Sequence, residues 1–360
     1  MTDLPRIGLA VSGGGFRATA FGLGCLRALH ERDLLRHVRV VSGVSGGSLL
    51  ASMWAYGPED FQQFDESVVA MLSRSLQMEL VSRTLAPGAI ARSLISLGES
   101  VVTGAPPRNN RTGSLVAAVA ARPFGRRLID EVTHPDLDTI VSATDMASGN
   151  AVRFGRRVSA CSAYGEIVGP ITVAEAVAAS AAFPLLLPAL RRDYKFRDQS
   201  GVVSGRTVVM TDGGVYDNLG LTPLMPGRSA EYTKHTYDLD YLIAADAGQG
   251  RSVGTPARFI FGRLKQAFAI THTVAQDAGR SKLHAARERG QIKGFVHAYL
   301  GMKDERLPVA VADLSRREEV DTYRTDFAKM RAEPLAKITA RAGQLTDALL
   351  SYYCPELDRA

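Results

Sequence analysis

The sequence predicts an α/β protein of three layers, with a mostly parallel central sheet flanked by helices and an inserted helical segment at 58–130. Three observations carry that expectation. Apolar, β-branched runs alternate with stretches of helical apolar spacing, the rhythm of a parallel sheet covered on both faces. Two of the earliest runs end in glycine-rich turns that feed directly into helix-like segments. The chain also shows no internal repeat and no low-complexity tract.

In chain order, "RIGLAVS" (6–12) reads as a buried strand and "FRATAFGLGCLRALHERDLL" (16–35) as a helix with a charged end. "HVRVVSGV" (37–44) is a second strand, followed by a helix over about 46–56. Later strands are expected at 139–144, 150–154, 206–211, 241–245 and 294–300, with helices between several of them, and two charged helices at 315–352. The segment 58–130 interrupts the rhythm. Ile90, Leu94, Leu97 and Val101 recur there at helical spacing, as in a helix packed on the core, a lid or an interfacial helix. The expected organisation is one domain over 1–312, with the insertion inside it, and C-terminal helices of 313–360 packed on the same domain.

With 360 residues, 46% hydrophobic and 22% charged, the chain has the make-up of an ordinary globular protein. The N-terminal "MTDLPRIGLAV" lacks a basic region followed by an apolar one, so no signal peptide is expected. The longest apolar stretch, 176–190, is too short to span a bilayer and contains two prolines. Cys25, Cys161 and Cys354 are scattered, without metal-ligand spacing, and fit a reducing compartment. A cytoplasmic location, with peripheral membrane contact, is the expectation. The net charge of +6 is concentrated: residues 81–128 hold seven arginines (83, 92, 108, 111, 122, 126 and 127) against Glu99 alone. An anionic membrane surface or a plain solvated face accounts for that excess. No zinc-finger, basic-zipper or stacked-aromatic pattern supports nucleic acid.

The chemistry concentrates in three motifs. The first strand ends in "SGGGFRA" (12–18), which satisfies a dinucleotide-type G-x-G-x-x-G/A pattern. That reading needs an acid at the end of the second strand, and none stands there. A triple-glycine turn at a helix N-terminus also presents backbone N–H groups to an oxyanion. The second strand leads into Gly43-Val44-Ser45-Gly46-Gly47, a G-x-S-x-G between an apolar strand and a helix, as a nucleophile elbow requires. A second copy around Ser252 sits in a polar loop and reads as chance. Of the seven histidines, 30, 37, 134, 235, 272, 284 and 297, His297 is the best partner by chain order, although a lone strand histidine is more often a core residue. A carboxylate is the alternative base. Asp212 ends a β-branched strand and precedes Gly213-Gly214; Asp246 in "AADAG" is the runner-up, and Asp145 reads as a turn cap.

Taken together, "SGGGFRA", "GVSGG", "DGG" and the small-residue segment "AASAAFPLLLP" (178–188) resemble the patatin-like phospholipase family over about residues 6–250. The resemblance implies a Ser-Asp dyad that acts on ester-linked acyl groups of lipids through an acyl-enzyme, with no metal or cofactor. It implies Ser45 as nucleophile, Asp212 as base, Gly13, Gly14 and Gly15 as the oxyanion hole, and Arg17 as support for that turn. Gly43, Gly46, Gly47, Gly213 and Gly214 would shape the two turns. Ser12 and Ala18 depart from the plant-type pattern and bring the turn closer to the animal cytosolic phospholipases. The implied partner is a phospholipid or lysophospholipid at a membrane surface. A carboxylesterase on soluble esters, or an idle lipid- or nucleotide-binding module, would keep the same motifs.

Overall fold

The computed structural model describes residues 4–77, 79, 111–184, 187–250, 256 and 258–359. The chain opens with β1 (Ile7–Val11), α1 (Gly15–Glu31), β2 (Val38–Gly43), α2 (Gly46–Tyr56), α3 (Phe61–Leu72) and α4 (Arg111–Val119). Next come β3 (Asp138–Asp145), β4 (Ala151–Gly155), β5 (Ala160–Cys161), β6 (Gly165–Val168), α5 (Val173–Ser180), β7 (Leu190–Arg197) and β8 (Val203–Asp212). The chain continues through α6 (Gly214–Asp217), β9 (Tyr241–Asp246), α7 (Ile260–Glu288), β10 (Gly294–Tyr299), α8 (Arg317–Val320) and α9 (Ala332–Tyr353).

The sheet runs β10-β9-β1-β2-β3-β4-β5-β6-β7-β8, and β8 pairs back onto β3. Its first five strands are parallel. They read as continuous apolar runs because both faces are covered. On one face Leu9, Val41, Ile243 and Val296 pack in a cluster with Phe21, Leu50 and Leu345 from the helices. On the other, Ala10, Val40, Ile140 and Ala244 meet Leu219, Leu224, Leu283 and Ala286. Helix α9 lies against α1 so closely that a Cβ on Gly24 would stand 2.1 Å from the Thr339 carbonyl oxygen.

The expectation of a mostly parallel sheet is corrected here. From β3 to β8 every pairing is antiparallel, and the six strands close into a barrel-like ring. The physical reason is connection length: β3–β4 and β7–β8 are joined by a few residues, too few for a parallel crossover. Helix α1 stops at Glu31 rather than running to 35, because Asp33 takes a left-handed φ of 57°. Of the inserted segment, α3 and α4 are described. The helical register Ile90–Val101, Arg83, Arg92, Arg108 and the Ser252 motif lie outside the described residues.

Candidate active site

Two strands of opposite direction bring the candidate residues together. Along one edge of β3, Val40–Gly43 of β2 pairs with residues 138–141, and Met210–Asp212 of β8 then pairs with residues 143–145. The strands β2 and β8 therefore end head to head. Gly43 lies opposite Val141, so Ser45, two residues on, reaches the level of Ala143, which is opposite Asp212.

Ser45 forms the turn between β2 and α2 with φ 54° and ψ −123°, a region that non-glycine residues avoid. The turn is tight because backbone meets backbone. A Cβ on Gly46 would lie 1.9 Å from the Gly15 carbonyl oxygen, and one on Gly47 would lie 2.4 Å from that of Ser12. At Gly43, an added Cβ would collide with Ser48 at 2.6 Å. The Ser45 N–H donates to Ser180 Oγ at 2.9 Å, which fixes the elbow from α5. Ser45 is 7% exposed.

Asp212 is 2% exposed. Its Oδ1 accepts from the Gly214 N–H at 2.7 Å, while its Oδ2 has no aligned hydrogen-bond partner. Burial pushes its pKa from 3.8 up to about 6, against the smaller opposing effects of the Gly214 N–H and the Ser45 hydroxyl. The serine thus lies close enough to favour the carboxylate, without a well-aligned bond to Oδ2. Gly213 donates to the Ser180 carbonyl at 3.2 Å, so one serine holds both turns.

The glycine turn lies beside them: a Cβ on Gly13 would stand 3.4 Å from Ser45 Cβ. The Gly13 N–H donates to the Asn218 carbonyl at 2.9 Å and the Phe16 N–H to that of Asp326 at 2.8 Å. The N–H groups of Gly14 and Gly15 have no backbone partner among the described residues. Gly15, at φ 59°, opens α1, whose N-terminal dipole favours negative charge here. Arg17 is buried and donates to the Tyr323 carbonyl at 2.7 Å, anchoring the loop that crosses the start of α1. Desolvation lowers its pKa to about 10.

The other sequence candidates lie elsewhere. Asp246 is fully buried in an ion-pair cluster, with His297 Nε2 at 3.0 Å and an Arg280 nitrogen at 2.8 Å from the same Oδ2. These contacts hold its pKa far below the usual carboxylate range despite burial. His297 is therefore neither free nor merely packed in the core. Asp145 accepts from Ser148 and Tyr164, as a turn cap does. The three cysteines are free and buried. Among the described residues no group of three His, Cys, Asp or Glu side chains is placed to hold a metal. Ser180, Asn218 and Asp326 escaped sequence reasoning. Ser180 alone had a signal, its place in the small-residue segment; Asp326 acts through its backbone, and Asn218 through its carbonyl and through a side-chain oxygen that lies against Gly13 and Gly214.

The fold and this site together define an α/β protein that displays a serine at a strand-to-helix elbow beside a buried strand-end carboxylate. Residues 9–225 match the family model described as patatin-like phospholipase, and the chain belongs to that family. Short segments are similar to curated relatives. Lysophospholipase 1 of Aspergillus fumigatus is 43% identical over 60 residues, 14% of this chain and 10% of that protein. Probable lysophospholipase 2 of Schizosaccharomyces pombe is 45% identical over 58 residues, 14% and 9% of the two lengths. Human GIVD cytosolic phospholipase A2 shares the fold, with TM-score 0.56 and 12% identity over 99% of this chain and 62% of that one. The same enzyme in complex with methyl gamma-linolenyl fluorophosphonate and terbium chloride gives TM-score 0.56 at 12% identity, covering 99% and 59%. The chain thus spans less than two thirds of that structure's length and matches about a tenth of the curated relatives.

Proposed function

We propose that this chain hydrolyses fatty-acyl esters of phospholipids or lysophospholipids with a Ser45–Asp212 dyad. The observation that carries the reading is the head-to-head meeting of β2 and β8, which sets a strained serine at the level of a buried carboxylate of raised pKa. Asp212 takes the proton from Ser45 Oγ as that oxygen attacks the acyl carbonyl carbon. The Gly14 and Gly15 N–H groups at the start of α1 receive the developing oxyanion. The proton then passes from Asp212 to the departing alkoxide, leaving an acyl-serine. Water attacks this ester, Asp212 again serving as base, and the fatty acid leaves as Ser45 regains its proton. Arg17 and the Asp326 carbonyl hold the glycine turn in place. Contact with a lipid surface is supported by Phe259, Ile260, Ile270 and Val274, which stand 82%, 70%, 59% and 57% exposed at the start of α7. Among the described residues no helix is long and apolar enough to cross a membrane.

The test is fatty-acid release from mixed phosphatidylcholine and lysophosphatidylcholine vesicles, beside labelling by a long-chain fluorophosphonate. Wild type should release acid and be labelled. Ser45→Ala should do neither, and Asp212→Asn should lose at least about 1000-fold in rate. His297→Ala should stay within a few-fold of wild type; its complete loss of activity would replace the dyad with a triad. Full release by Ser45→Ala would refute the reading.

A further inference from the structure

A cavity of about 500 Å³ is lined by Arg153, Tyr164, Ser200, Lys234 and His235, and by none of the candidate catalytic residues. Its buried charges are unusual. Arg153 projects from β4 and is 5% exposed, with no acceptor for its Nε. Its guanidinium rests over the Tyr216 ring, 5.7 Å from the centroid, and no carboxylate forms an ion pair with it among the described residues. Arg228, beside it, donates only to neutral groups: the carbonyls of His235 at 3.1 Å and Thr222 at 2.7 Å, and the Thr233 hydroxyl at 3.0 Å. His235 is 2% exposed, and neither ring nitrogen has a partner. Arg157 is different: Asp138 balances its charge at 2.5 Å. Two acids, Asp198 and Glu231, also line the cavity. Asp198 is engaged in its own turn, accepting from Ser200 and Val202, and Glu231 is exposed.

A buried guanidinium with no ion-pair partner is costly, and Asp217 attracts this one only from a distance, by less than burial costs it. An anion in the cavity offsets that cost. We propose that this cavity is a binding site for a phosphate-type oxyanion, carried by a soluble phosphate ester or by a lipid headgroup, held by Arg153 with Lys234. Burial and the neighbouring arginines lower the His235 pKa to about 3, so the imidazole beside Arg153 is neutral and the positive charge is that of the arginines and Lys234. A tetrahedral oxyanion accepts from the guanidinium fork and the ammonium at once, and the cavity leaves room for the ester's organic part. Tyr216, beneath Arg153, belongs to α6, which starts two residues after Asp212. Occupancy is thereby mechanically adjacent to the candidate catalytic turn. The site itself does not depend on the hydrolase reading.

Binding is measured with the full chain carrying Ser45→Ala, so that turnover cannot intervene. One arm titrates inorganic phosphate and glycerol 3-phosphate by calorimetry; the other sediments the protein with phosphatidylcholine vesicles that contain phosphatidic acid. Saturable binding in the first arm identifies a soluble ester, and binding in the second arm alone identifies a headgroup. In either case Arg153→Gln should weaken it about 30-fold or more, and Lys234→Ala a few-fold. No binding in either arm, or binding undiminished by Arg153→Gln, overturns the proposal. If Arg153→Gln fails to fold, Arg153→Lys and Lys234→Ala decide, and unchanged affinity in both overturns it.

Discussion

Replacing Asp212 with Asn should stabilise the protein while it abolishes acyl hydrolysis. The folded protein raises this carboxyl from 3.8 to about 6, chiefly by burial. About two pKa units at 1.36 kcal/mol each make the buried carboxylate cost about 3 kcal/mol of stability once it is ionised. The sign follows from proton counting. Between pH 3.8 and about 6 the native state binds more protons at this group than the unfolded chain does. Stability therefore falls as pH rises through that window and carries the full penalty above it. Asn is uncharged and keeps an oxygen to accept the Gly214 N–H, so it escapes the penalty. At pH 8 the variant should gain up to about 3 kcal/mol, roughly 4 °C in Tm for a chain of this size, and the gain should vanish near pH 4. Calorimetric Tm for both proteins across pH 4–8 reads this directly. A variant no more stable than wild type at pH 8 would refute the claim that the carboxylate is held against its own desolvation. In wild type, kcat/KM should rise with pH through a midpoint near 6.

Ser45→Gly removes the non-glycine residue from φ 54° and should stabilise the inactive protein by about 1 kcal/mol, seen as a higher urea midpoint; a lower one would mean that the elbow is not strained. Ser180→Ala leaves the buried Ser45 N–H without its acceptor and should cost about 1–3 kcal/mol together with a drop in kcat larger than any rise in KM. An unchanged kcat would show that Ser180 does not position the elbow. Gly15→Ala places a Cβ 2.4 Å from the Asp326 carbonyl oxygen at φ 59°, and should cost more than about 2 kcal/mol by thermal unfolding. Wild-type stability would mean that the 321–331 loop yields easily.

The parallel half of the fold was legible because its strands are buried on both faces and therefore read as apolar runs. The ring was not. Strand β7, "LRRDYKFR", carries Arg, Asp and Lys along most of its length, and β5 has two residues, too few for any periodicity. Even β8, found as 206–211, begins with an exposed stretch whose only order is its pairing with β7. At the site, Ser45 and Asp212 were visible because each needs a distinctive glycine neighbourhood. Asn218 and Asp326 were not, since both accept from the glycine turn through backbone carbonyls, which any residue type supplies, and the approach of the Asn218 side chain to Gly13 needs the fold to be seen. Gly13 differs from Gly14 and Gly15 in that its N–H is already bonded to the Asn218 carbonyl, while its Cα lies close to Ser45.

If Asp212 is the base proposed above, the ring solves a problem that a parallel sheet leaves open. A carboxylate works as a base near neutral pH only if it is desolvated, and a desolvated carboxylate tends to swing toward water or toward a cation. At Asp212 the backbone is pinned from several directions. Its N–H donates to the Ala182 carbonyl at 3.0 Å, its carbonyl accepts from Thr144 Oγ1 at 3.0 Å, and the next N–H donates to the Ser180 carbonyl. The Gly214 N–H then takes Oδ1, which leaves Oδ2 as the oxygen free to work. The Asp246 cluster shows the opposite outcome: a buried strand-end carboxylate met by Arg280 and His297 on one oxygen is too weak a base to deprotonate a serine. The two aspartates are equally buried, so burial alone does not make a base. What separates them is company: Asp246 is met by Arg280 and His297 on one oxygen, whereas Asp212 is met by the Gly214 N–H on Oδ1 and has no ion pair among the described residues.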